Sequence, residues 1–196
     1  MAFIILRITV LLLLQLEWFN LSDFQNLSFR NNKTKSFTVN NHLSDNPVIS
    51  PQNIIFEVKH SKSPNVVVYQ ANKTLKNLLD VEKPIDVFWL MITKGKKVET
   101  LTSIEWRMAF GYKLKTVIAG KKYTITLNAI KDKTITIVQN ENGKVEAYMN
   151  INGVYSRLTS VYIDFEYSFY IPDVKYVDFI GRSVNSNSVT VERVSS

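Results

Sequence analysis

The chain has 196 residues, a mass of 22.6 kDa, no cysteine, two histidines (His42 and His60) and a net charge of +7. The missing cysteines exclude a disulfide framework, thiolate metal sites and a cysteine nucleophile, and two histidines supply a triad or a histidine metal centre poorly. Apolar residues at 45% against 21% charged match a folded chain with a real core, not a disordered one. The cations fall in short groups, "KGKK" at 94–97, "KLK" at 113–115, "KK" at 121–122 and "KDK" at 131–133. No nucleic-acid motif accompanies them, so they read as solvated turns and edge lysines, and nucleic acid is not an expected partner.

Residues 2–16, "AFIILRITVLLLLQL", are apolar apart from Arg7, Thr9 and Gln15. The "ITVLLLLQL" core has the length of a signal-peptide h-region and falls short of the roughly 20 residues a spanning helix needs. Residues 1–22 are therefore expected to be a signal peptide or a retained N-terminal anchor. No Ala-x-Ala-like cleavage pattern lies between 16 and 26 to choose between the two. Export to the periplasm or cell envelope, or secretion, follows, with membrane contact only through this segment. Residues 23–46 are rich in Asn, Ser, Lys and Asp without periodicity and read as a flexible polar spacer.

From residue 47 a single β-rich domain is expected. Strands are predicted at 53–61 and 66–72 around the "KSPN" turn, and at 86–93, "DVFWLMIT", as a run buried on both faces. Further strands follow at 112–118, 122–130, 133–140, 144–151, 154–168, 174–181 and 188–194. Tyr123, Ile125, Leu127 and Ala129 share one face; Val145, Ala147, Met149 and Ile151 share another, opposite Glu146, Tyr148 and Asn150. Such one-sided burial with short connections predicts an antiparallel meander of about nine strands, closing as a barrel or a sandwich. Asn152-Gly153 is the strongest two-residue hairpin signal.

One stretch breaks the alternation: "KKVETLTSIEWRMAFGY", 96–112. Thr102-Ser103-Ile104-Glu105 has the pattern of a capping box, and Gly111 suits the stop. A short helix over about 101–110 is predicted, apolar round most of its circumference and so packed against the sheet or plugging its end. Alternatively it walls a ligand site. The candidate ligand-binding residues on this view are Trp89, Glu105, Trp106, Arg107 and Tyr112.

The segments "FEVKHSKSPNVVVYQAN", "KPIDVFWLMITKGKKVETLTSIEWRMAFGY" and "VKYVDFIGRSVNSNSVTVERV" resemble an exported bacterial family, domain of unknown function 4833, of the Bacteroidota type. The resemblance covers about residues 47–194. Its most specific part is Pro84, Val87 and Trp89 followed by the Ala109-Phe110-Gly111 ending. In the family the helix reads Ile-Gln-Arg where this chain has Ile104-Glu105-Trp106, so neither Glu105 nor Trp106 is carried over as a functional residue. The resemblance implies export and a compact β-rich fold, and no reaction.

No glycine-rich phosphate loop, nucleophile elbow or metal motif occurs, and neither catalytic residues nor a cofactor is expected. Asp164 and Glu166 share a strand face as an isolated carboxylate pair, on the polar side opposite Val161, Ile163 and Phe165. The reading is a non-enzymatic binding or envelope-associated module. Its expected partner is a small apolar ligand inside the barrel or an envelope protein. The alternatives are a hydrolase of envelope or dietary polysaccharide and a structural envelope component.

Overall fold

A long strand near the C-terminal end organises the whole sheet. The computed structural model describes residues 49–168 and 171–195; the expectations for 1–22 and 23–46 lie outside these residues. The strands are β1 (Ile54–His60), β2 (Ser63–Ala71), β3 (Ile85–Met91), β4 (Lys97–Thr100), β5 (Tyr112–Ile118) and β6 (Lys122–Leu127). They continue as β7 (Ile135–Gln139), β8 (Val145–Ile151), β9 (Val154–Ser168), β10 (Ile171–Ser183) and β11 (Val189–Ser195). A single helical segment, α1 (103–110), lies between β4 and β5.

β9, fifteen residues long, pairs with β10 along one edge from Ser156 to Ser168. Its other edge is shared: residues Val154–Leu158 pair with β8, and Ser160–Ile163 pair with β1. Two wings therefore hang from this spine, β1–β4 and β5–β8, each an antiparallel run. The expected meander holds inside each wing. The wings are joined by a parallel β1–β9 pair that no local pattern announces, so the eleven-stranded sheet is mixed and curls into a half-barrel. The short β4 was not anticipated, because "KVET" offers no apolar alternation.

The concave face is filled by one contiguous cluster of buried side chains. Phe56, Tyr69, Ile85, Tyr123, Ile137, Ala147, Ile151 and Phe165 are its centre, drawn from both wings and the spine. Phe56 stacks on Tyr69 at 4.2 Å, joining β1 to β2. β2 and β3 are apolar on their outer faces too, where Val66, Val68 and Phe88 pack beneath Ile49 and Ile54. That second layer explains the unbroken apolar run of β3. Pro64 sits on β2 where the β1–β2 register shifts, a place that does not need its missing N–H. Asn152 and Gly153 both have positive φ, 50° and 78°, as the hairpin joining β8 to β9 requires.

Candidate functional site

The α1 segment carries the sequence-derived candidates. Thr102 Oγ1 accepts from Glu105 N at 3.2 Å, and Glu105 Oε2 accepts from Thr102 N at 2.6 Å, completing the capping box. The other oxygen, Oε1, accepts from Trp89 Nε1 at 3.0 Å. Glu105 is 7% exposed, so this buried carboxylate ties the helix start to β3. Residues Trp106–Phe110 then form a π-turn, which Gly111 N closes onto Trp106 O. A Cβ on Gly111 would lie 2.1 Å from that oxygen, so glycine is required by close approach and not by φ. Asn128 Nδ2 donates to the same carbonyl at 2.9 Å, clasping α1 to the strand end at β6.

The segment packs onto the end of the core. Tyr69 Oη donates to Phe110 O at 2.6 Å, and the Trp89 and Phe110 rings meet edge to face. Tyr112 Oη donates to Ile85 O at 2.8 Å; burial, then the Asp86 charge, push this phenol up to about 12. Burial likewise raises the Tyr69 phenol. Trp89, Glu105 and Tyr112 thus spend their polar atoms on internal bonds. Trp106 is half-buried against Tyr112, and Arg107 is exposed without a bonded partner among the described residues. The structure brings four of the five candidates together as packing and leaves Arg107 on the outside.

His60, at the end of β1, faces Trp89 and Phe165, and neither ring nitrogen has a hydrogen-bond partner among the described residues. Burial lowers its pKa, which keeps it neutral. Asp164 and Glu166 lie on the outer face of β9, across from Tyr176 and Asp173, with Lys175 3.5 Å from Glu166. Among the described residues no cluster of His, Asp or Glu could hold a metal ion, and no helix is long and apolar enough to cross a membrane.

A recess of about 200 Å³ opens instead on the outer face where β8, β9 and β10 meet. Its lining includes Glu146 and Tyr148 from β8, Arg157 from β9, and Arg182, Val184 and Asn187 from the end of β10 and its turn. Register places Tyr148 opposite Arg157 and Arg157 opposite Arg182, so these side chains form a row across three strands. Burial opposes ionisation of Glu146, but hydrogen bonds from Lys144, Arg157 and Tyr148 win and hold its carboxyl down at about 2. Burial and the bond to Glu146 push Tyr148 up to about 12. The Tyr148 ring stacks on Tyr155 at 5.7 Å and 15° between planes, and Tyr155 is 51% exposed. Arg157 is spent on Glu146 at 2.7 Å, whereas Arg182 makes one bond among the described residues, to Asn187 O at 3.2 Å. Most of the Arg182 guanidinium is therefore available to a ligand.

Sequence reasoning had Glu146 and Tyr148 on the polar face of their strand but gave no reason to join them to Arg157 and Arg182. Register alone does that, because residues 146 and 182 meet only through β9.

Fold and site together define a class: a β-rich half-barrel with a filled interior and a polar, aromatic recess on its outer face. The chain belongs to the family described as domain of unknown function (DUF4833), whose model matches residues 56–193. A comparison with curated proteins finds no match, and one with solved structures finds none either.

Proposed function

We propose that this chain is a non-enzymatic binding module of the bacterial cell envelope, exported by its apolar N-terminal segment, which holds an acidic sugar of an envelope glycan in the β8–β10 recess. The observation that carries this reading is a recess lined by both Arg182, with one of its donors spent, and Tyr148, whose ring stacks on the exposed Tyr155 at its rim. A sugar ring lies flat on an aromatic face, and a guanidinium takes a carboxylate in two parallel hydrogen bonds. Glu146, already neutralised by Lys144 and Arg157, offers acceptors to ring hydroxyls without repelling that carboxylate. The recess has room for about one ring. The filled interior argues for this outer site over an apolar ligand held inside the barrel.

The test is a glycan microarray that includes peptidoglycan fragments and uronic-acid polysaccharides, probed with the parent protein and with Tyr155→Ala and Arg182→Ala. Binding to acidic glycans that falls at least about tenfold in each variant is expected. Binding that both variants retain would place the ligand elsewhere.

A further inference from the structure

We propose that the end of the half-barrel built from the 72–84 loop and the 119–121 turn docks onto an anionic lipid bilayer. Five large apolar side chains project into solvent at this one end: Leu75 at 109% exposure, Leu78 at 42%, Val81 at 56%, Val117 at 49% and Ile118 at 54%. They are held as a group. Leu79, fully buried, turns inward, its N–H donating to Gly120 O and to Gln139 Oε1, both at 3.2 Å. Gln139 Nε2 donates in turn to Asn77 O, and Thr74 N closes the loop onto Leu78 O at 2.8 Å. Leu78 Cβ lies close enough to the 119–121 turn that a Cβ on Gly120 would sit 3.8 Å from it. Apolar side chains are thus held on a hydrogen-bonded tip, Leu75 fully exposed and the other four about half exposed among the described residues.

Charge selects the partner. Residues 106–131 hold six cations and no Asp or Glu; Lys121 and Lys122 stand at the tip and Lys115 midway along β5, while Arg107, Lys113 and Lys131 lie toward the opposite end of the β5–β6 hairpin. None of the six forms an ion pair among the described residues, although ten pairs occur elsewhere. Lys121 and Lys122 follow the apolar tip directly, and Lys76 stands between Leu75 and Leu78. Lys76 and Lys121 both line a polar recess of about 620 Å³ beside the tip. Three carboxylates share the region: Asp80, whose Oδ1 accepts two backbone N–H groups, and the exposed Glu82 and Glu141. Apolar side chains flanked by unpaired lysines match the boundary of an anionic bilayer, where burial of the apolar tip and attraction to the head groups add. A soluble protein partner has no counterpart observation on this surface. Docking here does not depend on the glycan recess, which shares no lining residue with the recess beside the tip.

The chain lacks cysteine, so single-cysteine labelling of the full chain is clean. Leu75→Cys and Ser186→Cys, the latter in the far β10–β11 turn, each carry an environment-sensitive fluorophore. They are mixed with phosphatidylcholine vesicles or with vesicles containing about one-third phosphatidylglycerol. A blue shift at position 75 with the anionic vesicles alone is expected, weakened by about 0.5 M salt and absent at position 186. Adding Ile118→Ser and Lys121→Glu to the labelled Leu75→Cys chain should lower vesicle affinity at least about tenfold. No shift at 75 on any vesicle, or equal shifts at 75 and 186 as binding through residues 2–16 would give, overturns the proposal. Glycan binding would survive that failure, so the two readings fall separately.

Discussion

Glu105 Oε1 lies 3.0 Å from Trp89 Nε1, and with this one bond a helix cap becomes a tertiary tie between α1 and β3. Removing the carboxylate takes away the cap and leaves a buried indole N–H unpaired. Glu105→Ala is expected to cost about 2–4 kcal/mol in chemical denaturation. Thr102→Ala, which loses only the outer half of the box, should cost about 1 kcal/mol, and the exposed Arg107→Ala under about 0.5 kcal/mol. Equal effects of all three would mean that the tie carries no stability.

Gly111 predicts a different kind of loss. A Cβ there would meet Trp106 O at 2.1 Å and Asn128 Nδ2 at 2.7 Å. Gly111→Ala must open the π-turn or displace the asparagine clasp, at a cost of about 1–3 kcal/mol. Its φ of −68° is ordinary for alanine, so an unchanged melting temperature would show that the turn relaxes freely.

His60 sets a pH dependence whose sign follows from its burial. Its folded pKa is below 6.5, so between that value and 6.5 the unfolded chain binds a proton that the folded chain refuses. Stability contributed by the neutral ring is full above 6.5, falls as pH drops through that window and then levels off. His60→Leu should flatten this limb of a stability–pH curve. A parent curve rising toward acid between pH 6.5 and 5 would contradict the assignment.

Glu146 acts lower on the scale. Its carboxyl is depressed from 4.5 to about 2, so its contribution is complete above 4.5 and is lost as pH falls toward 2. Glu146→Gln should reduce the slope in that window, the remainder coming from the likewise depressed Glu99 and Glu192, and leave the His60 limb intact. Measured by denaturant midpoints across pH, an unchanged acid slope would show that Lys144 and Arg157 do not hold the carboxylate in solution.

Much of this architecture was legible in the chain, for identifiable reasons. Period-two burial at Tyr123, Ile125 and Leu127, and at Val145, Ala147 and Met149, marked β6 and β8 because each has one wet face. The capping box was readable because its partners are three residues apart. The parallel β1–β9 pair was not, since Glu57 and Ser160 are register partners far apart in sequence, with no local pattern linking them. The same holds for the recess. Arg157 and Arg182 look like two ordinary strand arginines until the β9–β10 register sets them side by side. The roles of the α1 residues also needed coordinates: Glu105 has the residue type of a ligand contact and the environment of a buried tie.

The most direct measurement is an NMR titration of the 15N-labelled protein with a uronic-acid oligosaccharide and with a muramic-acid-containing peptidoglycan fragment. Shifts concentrated at Tyr148, Tyr155, Arg157 and Arg182, with the Trp89 indole N–H unmoved, are expected from the outer-face recess. Shifts of the Trp89 and Trp106 indoles without change at Arg182 would contradict it and return the site to α1.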